Sequence, residues 1–166
     1  MTGPLPLRAP SLVRRFSCLV YEVLVLFGVG IVCGLIGAAL LAVAGRPQYA
    51  VAEVLAFGVY GVYFVWFWSR HGQTLPMRTW HIRLVRPDGG PVSTGRAVAR
   101  YLVGCAWIAP PALLWHGDHR LAVIGAWAVL YGLSARWLPE RQFLHDLSCG
   151  TRLVDVKPAV PQPSTR

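Results

Sequence analysis

One apolar run limits what this chain can fold into. Residues 18–44 read CLVYEVLVLFGVGIVCGLIGAALLAVA, and a single charged residue, Glu22, interrupts them. A helix rises about 1.5 Å per residue, so roughly 20 apolar residues cross the hydrocarbon core of a bilayer. Three further runs follow, at 50–69, 97–116 and 120–138. Linkers at 45–49 and 117–119 are short enough to make each pair a helical hairpin. The pattern predicts an all-α membrane protein with four transmembrane helices. Composition agrees, because 14% of the residues are charged whereas a soluble domain has about 25%. A cleaved signal peptide fits less well. Arg14-Arg15 and Ala42-Val43-Ala44 resemble its flanks, but its apolar region is only about 7–15 residues long.

The net charge of +9 could mean nucleic acid, anionic lipid or topology, and position decides. Arg8, Arg14 and Arg15 precede the first run. Arg70, Arg78, Arg83, Arg86, Arg96 and Arg100 fall between the second run and the start of the third. Arg136, Arg141, Arg152, Lys157 and Arg166 follow or close the fourth. Only Arg46 and Arg120 lie at the two short linkers. The positive-inside rule then puts both termini and the 70–96 loop in the cytoplasm of a bacterial-type inner membrane. Trp66, Trp68 and Trp137 would mark the inner interface and Trp115 the outer. No basic stripe is interleaved with exposed aromatics, so nucleic acid is not an expected partner and the bilayer is.

Local signals refine this. Pro110-Pro111 should kink or end the third span. TWHIRLVR at 79–86 and TRLVDV at 151–156 have strand character and predict a small two-stranded cytoplasmic element. The Pro-rich, polar segments 1–11 and 157–166 are expected to be disordered. That leaves 12–156 as the membrane domain.

Glu22 needs an explanation. Ionisable residues within a membrane usually face the bundle interior and pair. Arg15 is seven residues earlier, almost two turns, so both project from one face about 10 Å apart. Arg100 and Asp146 would lie at a similar depth. Either the four form a structural ion network, or a carboxylate among them binds a proton, a cation or a substrate. Glu53, at the outer end of the second span, could reach water or mark an ion path with Glu22. Gly30, Gly34 and Ala38 form a small-residue face suited to packing within the chain or to a homodimer. Cys18, Cys33, Cys105 and Cys149 form no C-x-x-C pair, and His116 and His119 bracket a polar turn. Neither a metal site nor a cofactor is expected. No nucleophile–base arrangement is visible, and His145 next to Asp146 is no dyad by adjacency alone, so no catalytic residues are assigned and an enzyme is not expected.

Several of these segments resemble the RDD family of small membrane proteins. Arg15 with an acid seven residues on is similar to its opening. HGQTLPMR at 71–78, which contains Thr74, resembles its G-x-T-x-G segment. STGRAVAR at 93–100 and FLHDLSCGTRLV at 143–154 resemble its later motifs. The eponymous residues then fall on Arg15, Glu22 and Asp146. Two positions depart from the pattern: Glu22 replaces Asp, and Pro76 replaces Gly. The resemblance implies a small transporter, with cation/proton antiport by homodimers described for some members. Glu22 would bind a proton or monovalent cation, tuned by Arg15 and Asp146. The alternative is a non-transporting scaffold or accessory/assembly protein with a structural ion cluster.

Overall fold

In the computed structural model, residues 8–44, 49–114, 118–134, 136–138 and 142–156 are described. The long apolar runs have few polar side chains to satisfy their backbones, and they become helices, whose hydrogen bonds are internal. The elements are α1 (Leu12–Ala44), α2 (Tyr49–Arg70), α3 (Leu75–Thr79), β1 (Ile82–Val85), α4 (Thr94–Leu114), α5 (Arg120–Ser134), α6 (Leu144–Ser148) and β2 (Arg152–Asp155). Among the described residues, only α1, over Leu12–Leu40, has both the length and the apolar content to cross a bilayer by length and composition alone.

The four long helices pack in series, α1 on α2, α2 on α4 and α4 on α5, while among the described residues α1 and α5 meet sparsely. Each junction has a polar stitch to a backbone carbonyl. Tyr60 donates to Leu26 O across 3.0 Å, joining α1 to α2. Tyr101 donates to Phe57 O across 2.7 Å, joining α2 to α4. Trp127 Nε1 donates to Trp107 O across 2.9 Å, joining α4 to α5.

That last bond explains why α4 does not end at its prolines. Pro111 lacks the N–H that would bond Trp107 O, four residues earlier. The indole of Trp127 supplies a donor instead, and the helix runs on to Leu114. The fourth helix is shorter than expected. It ends at Ser134, and Arg136 and Trp137 turn back with bonds to Leu133 O and Ser134 O.

At one end of the helices, β1 and β2 pair antiparallel, with Leu84 opposite Leu153 and Ile82 opposite Asp155. Both strands lie within the segments expected from sequence. Gly72 adopts φ +68°, and its carbonyl accepts from Leu84 N at 2.7 Å. A Cβ there would press on the Leu84 backbone, so glycine is needed on two counts. Pro76, the departure from the family pattern, falls in the first turn of α3, where a missing N–H costs nothing. Ile82, Leu84, Val92, Ala97 and Leu153 form a small core with Trp68, Met77 and Tyr101. Arg8, ahead of α1, meets β2, where its O accepts from Asp155 N at 2.8 Å. Residues 1–7 and 157–166, Trp115 and His116 lie outside the described residues.

Candidate functional site

Arg15, Glu22, Arg100 and Asp146 come from three helices and are all buried at the sheet-bearing end, at 5%, 7%, 8% and 0% exposure. They are not one uniform cluster. Asp146 sits in the first turn of α6, where its backbone also organises the turn into β2, since Thr151 N donates to Asp146 O at 2.9 Å. Its Oδ1 receives Arg100 Nε at 2.9 Å and Nη2 at 2.8 Å, with Thr151 Oγ1 at 3.4 Å. Asp146 also acts electrostatically on Arg15. Each guanidinium lies over a ring: Arg100 Cζ is 4.3 Å from the Trp68 centroid, and Arg15 Cζ is 5.2 Å from that of Phe143. Such stacking suits the weakly hydrated guanidinium in an apolar setting.

Glu22 is held differently. Tyr63 donates to its Oε1 at 2.8 Å, and Thr74 donates to its Oε2 at 2.6 Å. Arg100 bears on it through space, and Cys18 lies close on its own helix. Thr74 is fixed because it caps α3, its Oγ1 accepting from Met77 N at 3.4 Å. The hydroxyl partner of Glu22 is thus set by the start of a five-residue helix.

His145 joins from α6. Tyr131 Oη lies 2.6 Å from His145 Nδ1 and accepts from His145 N at 3.1 Å. His145 Nε2 lies 3.7 Å from Asp146 Oδ1. Burial pushes the His145 pKa down to about 4, with Arg100 adding to the drop and Asp146 opposing it. The ring is neutral at physiological pH.

Outside the cluster, Glu53 is exposed and does not join it. Gly30 packs inside the chain, with the Tyr60 hydroxyl where its Cβ would be, whereas Gly34 meets nothing within 4 Å and Ala38 is exposed. Sequence reasoning missed Tyr63, Tyr131 and Gln142. Gln142 is 1% exposed and pairs with both backbone groups of Leu153, at 2.9 and 3.1 Å. No pattern in the sequence points to it.

Arg15, Glu22, Arg100 and His145 also line a cavity of about 320 Å³. Its remaining wall is apolar and aromatic, including Phe64, Trp107 and Trp127.

A series of long apolar helices, closed at one end by a small sheet and a buried Arg/Asp/Glu cluster, defines a helical membrane protein. The RDD family model matches residues 9–150, and the chain belongs to that family. No curated protein and no solved structure matches it.

Proposed function

We propose that the four long helices each cross a bacterial-type inner membrane, with both termini and the sheet in the cytoplasm. In this reading the protein is a small transporter, not an enzyme, and couples its solute to a proton at Glu22. The arginine distribution supports the orientation. The observation that carries the transport reading is the setting of Glu22, a buried acid on a cavity wall whose hydrogen-bond partners are hydroxyls. Asp146, by contrast, has a guanidinium on one oxygen. Hydroxyls can turn. They donate to a carboxylate, and one can accept from the protonated acid, so both states of Glu22 are satisfied. The exposed Gly34 and Ala38 face supports a homodimer.

The test uses proteoliposomes loaded with a pH dye. They are challenged in turn with Na⁺, K⁺ or Li⁺ and with small organic solutes of each charge. Wild type should move protons in response to at least one class, and Glu22→Gln should not, while remaining folded and inserted. No response from folded, inserted wild type overturns transport. The second reading, a scaffold or assembly protein, then stands. It is favoured by the fully buried Asp146–Arg100 lock and by Arg14 of α1, which binds both Asp155 and the Trp80 carbonyl.

A further inference from the structure

The cavity is larger than a proton path requires. Its volume of about 320 Å³ is at the small end of the range for ligand pockets. Its charged lining sits at the sheet-bearing end, where Arg15, Arg100 and His145 meet Trp68 and Phe143. Gly104 and Trp107 lie four and seven residues further along α4, about 6 and 10 Å up the wall. Trp127 and Ala128 face them from α5. The space is therefore polar at one end and apolar along its length.

Charge selects the kind of head that fits. Arg15 and Arg100 are cations, Asp146 is an anion, and His145 is neutral. The floor carries one net positive charge, which Glu22 balances only while ionised. At the charged end the aromatic faces of Trp68 and Phe143 are already covered by guanidiniums, so a cationic head meets like charge there. An anion finds opposite charge there. A two-chain lipid exceeds the volume; a single chain does not.

Access follows from the packing. α1 and α5 both line the cavity but, among the described residues, meet sparsely. At the floor they approach each other where the Phe16 ring lies over Gly132. Exposed Leu19 and Leu130 lie on the same two helices.

We propose that this cavity binds a single-chain amphipathic monoanion, with its head at Arg15 and Arg100 and its apolar body along α4 and α5, entering sideways between α1 and α5. As the cargo of transport this rests on the reading above; as a binding site it does not. Glu22 is faced by Cys18 on α1, Tyr63 on α2, Thr74 at α3 and Arg100 on α4, with Arg15, His145 and Asp146 beyond. The anionic head and ionised Glu22 compete for the same positive floor. Binding therefore places a proton on Glu22, taken from solution, with no other bond made or broken.

The experiment uses the full chain in zwitterionic phosphatidylcholine nanodiscs with a brominated decanoate as probe, read by heavy-atom quenching of the cavity tryptophans. Saturable binding is expected, displaced by decanoate. Gly104→Leu should weaken it at least tenfold. Gly104 lines the cavity and a Cβ there meets nothing within 4 Å, so a larger side chain has room to enter, and leucine suits a helix. Glu22→Gln should keep binding but lose the proton uptake seen on mixing in weak buffer. Binding without proton uptake in wild type supports the site while overturning proton coupling. An equal signal in Gly104→Leu means partition into the bilayer and overturns the site. Displacement by decyltrimethylammonium but not decanoate overturns the sign of the head. Displacement only by phosphatidylglycerol assigns the cavity to a two-chain lipid and overturns the single-chain proposal.

Discussion

Around the sheet, Ile82, Leu84 and Val92 are 1–3% exposed, and the buried Arg100, Asp146 and Gln142 beside them are held by hydrogen bonds and an ion pair. Along α1, by contrast, Leu24, Phe27 and Leu35 are 62%, 67% and 67% exposed. One region has the burial of a water-soluble core, with every element closing over its neighbour. The other presents leucine, valine and phenylalanine outward over several turns. Apolar surface costs about 25 cal/mol per Å² to keep in water and nothing comparable in lipid. The two regions are built for different solvents. The sheet end holds its shape through specific polar contacts, whereas the outer helix faces depend on the bilayer.

The largest effect should come from breaking the polar lock. Asp146→Asn keeps the shape but leaves Arg100 buried without its counter-charge. Removing one partner of a buried pair typically costs about 3–5 kcal/mol. Thermal unfolding of the purified variant in detergent should show a large drop, and docking of α6 and β2 should be lost to proteolysis. An unchanged melting temperature would mean that the lock is not what holds the sheet end together.

The next effect is a pH dependence confined to the same end. His145 is neutral in the fold, with its pKa lowered from 6.5 to about 4 by burial, and it protonates near 6.5 once unfolded. Between these values the unfolded chain binds the extra proton, so stability rises with pH there. It is complete above about pH 6.5 and falls as the pH drops toward 4, by an amount on the order of 3 kcal/mol. His145→Gln should flatten that limb of the stability–pH curve. A limb that persists in the variant would move the titration to another group.

Much of this contrast was legible in the sequence. Long apolar runs marked the helices, and two β-branched segments marked the strands that pair. The seven-residue spacing of Arg15 and Glu22 put both on one buried face. What sequence could not supply was who bonds whom. The sequence set Arg15, Glu22, Arg100 and Asp146 at a similar depth without saying how they pair: the hydrogen bonds of Glu22 come from Tyr63 and Thr74, while Arg100 bonds Asp146 and bears on Glu22 through space. Tyr63 and Thr74 are separated from Glu22 by 41 and 52 residues, and neutral hydroxyls leave no charge pattern to follow. What carries α4 three residues past Pro110-Pro111 was hidden for a similar reason. The compensating donor, Trp127, is on another helix. Local rules forecast the local backbone, and the long-range polar partners depend on packing that one chain read in order does not display.

The smallest effect should fall on the outward face of α1, and a paired substitution measures it. Leu24→Ala removes atoms that detergent or lipid already solvates, so the change in stability should stay within about 0.5 kcal/mol, as for substitutions away from packed sites. Leu84→Ala is the same chemical change at 1% exposure and should cost about 2–5 kcal/mol through lost burial and a residual cavity. Unfolding both variants in the same detergent removes the solvent term from the comparison. A Leu24→Ala loss approaching that of Leu84→Ala would mean that this stretch of α1 is covered in the folded particle, and a second copy of the chain supplies a cover of matching apolar character. Cross-linking yield measured on the same samples would then separate a buried helix face from a lipid-facing one.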